Sequence, residues 1–195
     1  MKFLRPSAIL FLAVSLSVLS SCDKVATEPV APLTMNGCTD QKKMGVNSAS
    51  ILSSSPYNVH ISDLNQVGTN YTWIWTIKNN NPGNGQNGTV QDLSHWGIDL
   101  GSCVKLGDII EAAYSSDKVN WTLFTPKFEV DKSQKCSDSK FIKFDFGTKG
   151  SIPSYYKLVI TKNVTRTDTK SIYKSGNNTG CGVFTTCGFG CAKDQ

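Results

Sequence analysis

Few side chains in this 195-residue sequence are suited to acid–base chemistry. There are two histidines, His60 and His95, and three glutamates, Glu28, Glu111 and Glu129. Neither histidine stands in an H-E-x-x-H motif, and no Gly-x-Ser-x-Gly elbow is present. Asp92 precedes His95 by three residues, and serines are plentiful, so a Ser/His/Asp set can be drawn on paper. In an alternating strand, however, His95 points away from Trp96 and toward solvent, which argues against catalysis. Glu111 and Glu129 could serve as the paired carboxylates of a glycoside hydrolase, which stand ~5–9.5 Å apart. Nothing in the sequence places them together, and Glu129, between apolar neighbours, reads as an outward strand residue. No Walker-type or dinucleotide loop occurs. Asp63, Asp92, Asp99 and Asp145 could offer hard oxygen ligands to calcium, but no D-x-D-x-D run organises them. The sequence therefore assigns no catalytic residue, no cofactor and no metal site.

Sulfur chemistry is better represented. Apart from Cys22 there are six cysteines: Cys38, Cys103, Cys136, Cys181, Cys187 and Cys191. An even number in an exported chain points to disulfides. Zinc is the rival reading of Cys181, Cys187 and Cys191. Their x5 and x3 spacings lack a tight pair and have no nearby histidine, so disulfides are favoured. Three of the six lie in the last 15 residues, so at least one tail cysteine must reach outward. The preferred scheme joins Cys103 to Cys136, one tail cysteine to Cys38, and the other two to each other across a small glycine-rich loop. Should Cys103 instead join the tail, all three tail cysteines can reach outward.

Binding chemistry rests on aromatics and one loop. Trp73 and Trp75 lie two apart and alternate with threonines, which suits a buried strand face. Trp121, Tyr155 and Tyr57 are the better candidates for an exposed surface that stacks on sugar rings. Residues 79–88 (NNNPGNGQNG) form a turn-rich loop that should protrude, with Asn84 and Asn87 as candidate ligand contacts.

The N-terminus reads as an address. Lys2 and Arg5 precede an apolar stretch, residues 8–19, too short for a ~30 Å hydrocarbon core. It ends Leu19-Ser20-Ser21-Cys22, which resembles the lipobox of bacterial lipoproteins. That resemblance implies a signal peptide over residues 1–21 and a lipid-modified Cys22 at the new N-terminus. Several acyl chains, at ~0.8 kcal/mol per buried CH₂, make a stable anchor. Residues 23–37 read as a proline-containing tether, extending up to ~3.1 Å per residue. The implied location is the cell envelope, with the protein held to a bilayer and facing the periplasm or the exterior.

These features need a rigid carrier, and the composition describes one. Charged residues are only 18%, aromatics are 10%, and no heptads or multiple spans appear, which excludes disordered, coiled-coil and multi-span classes. The formal charge of +5 falls to about +3 once Lys2 and Arg5 are removed, too mild to argue for nucleic acid without a patch. Alternating strands are predicted at 71–78, 94–100, 140–146 and 154–162. Weaker ones fall at 57–61, 120–125, 127–130 and 165–173, and 109–114 reads as either a strand or a short helix. Turn clusters separate them at 79–88, 115–118, 147–154 and 174–180. The expected fold is all-β: one disulfide-tied antiparallel β-sandwich over residues 38–195, Ig-like or jelly-roll-like, with a Greek-key barrel as the second choice. The basic residues of 157–174 read as the solvated edge of a sheet.

Three runs add a second resemblance: Trp73-Ile74-Trp75, Asn81-Pro82-Gly83-Asn84-Gly85, and Gln91-Asp92-Leu93-Ser94-His95-Trp96. With Lys143-Phe144-Asp145 and the cysteine-bearing glycine-rich end, they resemble secreted and surface proteins of Bacteroidota-type bacteria. The resemblance implies an extracellular β domain and transfers no functional residue. The function expected is thus a membrane-anchored module that binds a glycan or protein, or serves a structural role. The alternative is an envelope hydrolase with dispersed carboxylates.

Overall fold

Alternation in the sequence becomes strands that bury one side. In a computed structural model, Cys38 and residues 55–133 and 136–191 are described, all within the unit Ala31–Gln195. Cys22, the leader and the tether lie outside the described residues. The strands are β1 (Asn58–Val67), β2 (Asn70–Lys78), β3 (His95–Ile98), β4 (Ile109–Ser115) and β5 (Thr122–Leu123). They continue with β6 (Phe128–Val130), β7 (Lys140–Phe144), β8 (Ser154–Ile160), β9 (Thr165–Lys174) and β10 (Cys181–Gly190). A single 3-10 turn, Leu106–Asp108, leads into β4, so the ambiguous 109–114 segment is a strand.

The strands form two five-stranded antiparallel sheets, ordered β1-β2-β8-β4-β5 and β10-β9-β3-β7-β6. The sheets stay separate, so the fold is a sandwich and not the alternative barrel. Trp73, Trp75 and Ile77 of β2 and Tyr156, Leu158 and Ile160 of β8 are buried from the first sheet. They meet Trp96, Ile98, Ile142 and Phe144 from the second. Ring centroids of Trp75 and Trp96 are 5.6 Å apart, and those of Trp96 and Tyr156 5.0 Å, as an aromatic sandwich core requires. Trp73 and Trp75 are therefore core residues, as their alternation suggested. Tyr57, expected at the surface, is buried: its hydroxyl donates to the Gln91 carbonyl at 2.8 Å, and burial raises its pKa to about 12.

The largest departure from expectation is β10. Its glycines read as a small loop, yet residues 181–190 form a ten-residue edge strand along β9. The glycines make room for neighbouring side chains. A Cβ on Gly182 would lie 3.0 Å from the Tyr173 ring, and one on Gly188 2.8 Å from Thr169. Because β10 occupies the edge, β9 is an inner strand, and its basic residues do not form a sheet edge.

This strand also overturns part of the disulfide scheme. The bridges are Cys38–Cys187, Cys103–Cys191 and Cys136–Cys181. Cys38 does reach the tail, but Cys103 and Cys136 are not joined to each other. At ~3.4 Å per residue, extended chain separates Cys181 from Cys187 by about 20 Å and even the nearer pair, Cys187 and Cys191, by about 14 Å. A bridge needs Cα atoms within ~7 Å, so a local tail bridge is excluded. Each tail cysteine reaches outward instead, with Cα–Cα distances of 5.8, 5.3 and 6.1 Å. All three bridges thus fasten the last strand. They fit an oxidising, extracytoplasmic compartment.

Candidate functional site

The outer face of the first sheet collects the surface aromatics. Pairing registers define its rows. His60 of β1 lies opposite Thr76 of β2, Thr76 opposite Tyr155 of β8, and Tyr155 opposite Ser115 of β4. Leu123 pairs with Ala113 and Thr122 with Tyr114, so continuing that register one residue before β5 sets Trp121 beside Ser115. His60, Thr76, Tyr155, Ser115 and Trp121 therefore form one row across all five strands. The next row carries Ile74, Lys157, Ala113 and Leu123. All these residues lie on the side of their strands away from Tyr156, Leu158 and Ala112, which face the core, but Ile74, Thr76, Ala113 and Ser115 are themselves buried, so Trp121, Tyr155, Lys157, Leu123 and His60 make up the accessible part of the face.

Each half-buried ring on this face has a lysine beside it. The Lys157 ammonium sits 4.4 Å from the centroid of the Trp121 ring, and the Lys118 ammonium 5.8 Å from that of Tyr155. Each ammonium is also ion-paired: Lys157 with Glu111 at 2.5 Å, and Lys118 with Asp63. The β4–β5 turn that carries Lys118 is rigid. Asp117 accepts from the backbone N–H groups of Val119 and Asn120, from the Asn120 amide and from the Ser115 hydroxyl. Those bonds, led by the Asn120 side chain, hold its carboxyl well below the usual carboxylate range. Val119 and Leu123 flank Trp121 and are strongly exposed, at 77% and 66%.

The other sequence-selected residues are dispersed. Asn84 and Asn87 are exposed in the 79–88 loop, which is braced rather than freely protruding. Gly83 donates to the Val90 carbonyl, Val90 donates to the Asn81 carbonyl, and the Asn178 amide donates to the Asn84 carbonyl. The Asn84 side chain accepts from the Gln86 N–H inside the loop, and Asn87 holds a left-handed φ of 51°. Glu111 lies on the outer face of the first sheet, whereas Glu129 pairs with Phe141 in the second and lines its outer face. Two sheets and the core stand between them, so no cleft brings these two carboxylates together. The four candidate calcium aspartates are likewise apart. Asp63 pairs with Lys118 and Asp145 with Lys143, while Asp92 and Asp99 accept backbone N–H groups of Gly150 and Gly101. Among the described residues, no group of three or more potential ligands could hold a metal. No described helix is long and apolar enough to cross a membrane.

One polar cluster was not foreseen. His95 does point away from Trp96, but it is buried and not solvated. Its Nε2 lies 2.7 Å from Asp131 Oδ2, and Lys143 Nζ contacts Asp131 at 3.2 Å and Asp145 at 2.7 Å. Burial, then Lys143, pushes the His95 pKa down against the opposing pull of both carboxylates. Burial would raise the Asp131 carboxyl, but hydrogen bonds from Ser133 and Lys143, with His95 adjacent, bring it to about 2. The cluster pins the chain after β6 over the outer face of the second sheet, where Lys174 Nζ also donates to the Ser133 carbonyl at 2.6 Å. A groove of about 300 Å³ lies beside it, with Phe141 and Ile172 among its lining residues. The only hint in the sequence was chemical: a histidine in an otherwise apolar strand needs a partner.

Comparison with known proteins adds no assignment: no family model matches this chain, and no curated protein matches it.

Proposed function

We propose that the protein is an envelope lipoprotein, anchored through acylated Cys22, whose sandwich displays a carbohydrate-binding face. The observation that carries the binding role is the gathering of Tyr155, on β8, and Trp121, directly before β5, on one outer face of a sheet. Flat aromatic surfaces at hydrogen-bonding positions suit the alternating apolar and hydroxyl faces of sugar rings. Three disulfides and a deep aromatic core favour a fixed platform over a moving one, which lowers the ordering cost of binding. The tether would hold this face away from the bilayer at a reach set by residues 23–37.

Two measurements test the two halves. Cys22→Ala should abolish acyl labelling and shift the protein from membrane to soluble fractions, and unchanged membrane retention would remove the anchor. The folded domain should bind at least one polysaccharide on a glycan array, and Trp121→Ala should lower that signal while the fold is retained. An array without any signal for the wild-type domain would remove the binding role.

A further inference from the structure

Resting on that carbohydrate-binding reading, we infer that the ligand is an uncharged polysaccharide chain lying across the strands, along the row from Trp121 to His60. Two properties of the face lead there. The first is its charge. Lysines 118 and 157 are each held between a ring and a carboxylate, Asp63 or Glu111. The remaining charges nearby are Lys78, outward at the end of β2, and Asp117 at the β4–β5 turn. Positive and negative charges therefore balance. An anionic glycan would have to displace a carboxylate already paired with each ammonium. A neutral chain needs no such exchange, and the paired side chains still offer oxygen acceptors and N–H donors to hydroxyl groups.

The second property is direction. Tyr155 and Trp121 are separated by β4, that is, by two inter-strand spacings, or about 10 Å. The row continues through Thr76 to His60, spanning four spacings, or about 19 Å. A ligand running across the strands meets both rings, passes over the buried Thr76 and reaches the His60 imidazole. A ligand running along β8 meets Tyr155, then Lys157, then Val159, only one of which is aromatic. The platform is therefore matched to a chain longer than a disaccharide, gripped at its two ends by Trp121 and His60.

The test uses the mature domain with its three bridges intact and two polymers: hydroxyethylcellulose as the uncharged chain and polygalacturonate as the anionic one. Affinity electrophoresis and calorimetry read binding at low and high salt. The expected result is binding to the neutral polymer that changes less than about twofold with salt, since no counterion release accompanies it. Trp121→Ala and Tyr155→Ala should each weaken it roughly tenfold. His60→Ala should weaken the polymer severalfold and leave a neutral disaccharide unchanged. Circular dichroism and melting confirm that each variant is folded. Binding confined to polygalacturonate, falling steeply with salt, would overturn the neutral-ligand inference and leave a carbohydrate-binding role standing. Equal polymer binding by His60→Ala would overturn the cross-strand placement. Binding of neither these polymers nor any array glycan would overturn both this inference and the carbohydrate role.

Discussion

Removing the charge of Asp131 should expose how much the buried cluster contributes. In Asp131→Asn the side chain keeps its shape but loses its charge opposite Lys143 Nζ, 3.2 Å away, and His95 Nε2, 2.7 Å away. The folded carboxyl titrates at about 2, against an ordinary value of 3.8, a difference of roughly two units. At 1.36 kcal/mol per unit, ionisation of Asp131 stabilises the fold by about 2 kcal/mol. The sign follows from the lowered value. This stability is fully present above pH 3.8 and is lost as the pH falls through about 2. Urea unfolding of wild type and Asp131→Asn, from pH 7 down to pH 2, reads the gap directly. The gap should widen between pH 7 and about 5, because His95 in the variant loses the upward pull of Asp131 and titrates lower, and should then shrink by about 2 kcal/mol as the Asp131 carboxyl protonates. A constant part can remain from altered packing. A gap that does not change with pH would refute the reasoning, because Asp131 would then be no better stabilised in the folded chain than in the unfolded one.

Further outcomes are expected. His95 has a folded pKa below its unfolded 6.5, so the wild type should also lose stability as the pH falls through 6.5, and His95→Gln should abolish that step in the melting midpoint. Paired Cys136→Ser and Cys181→Ser substitution should cost about 2–5 kcal/mol, lowering the thermal midpoint by roughly 5–15 °C, and unreduced peptide maps should join Cys103 to Cys191. A Cβ on Gly147 would fall 1.8 Å from the Leu93 carbonyl oxygen, so Gly147→Ala should destabilise by about 1–3 kcal/mol or more in urea titration. Trp121 is the one tryptophan outside the core, so Trp121→Phe should remove most of the acrylamide-quenchable fluorescence and leave the rest unchanged.

Much of the fold was legible because one-sided burial writes itself as alternation. Strands β2, β7 and β8 carry large apolar residues at every second position, and their positions were read closely. The position of β10 was not legible, because Gly182, Gly188 and Gly190 have the composition of a turn. Their role depends on Tyr173, Thr169 and Thr167, cross-strand neighbours that only pairing supplies. Misreading that strand also misassigned the bridges, since extended backbone keeps the tail cysteines apart. For the candidate site, the side chains Trp121 and Tyr155 were selected from sequence, but their common row required the strand order β8-β4-β5. His95 was assigned the correct side of its strand. Its burial depends on Asp131, which is far away in sequence and is brought over by the chain following β6.

Because every bridge ends in β10 or on Cys191 directly after it, the order of synthesis matters. Cys38, Cys103 and Cys136 are synthesised first, and none of them has its partner among the others. Until the last cysteines are available, any bond formed among these three is a wrong one. Correct oxidation must wait until the segment carrying Cys181, Cys187 and Cys191 is available. Maturation therefore depends either on keeping the early thiols reduced or on a thiol–disulfide isomerase that reopens premature bonds. A chain truncated just before Cys181 would leave Cys38, Cys103 and Cys136 without a correct partner.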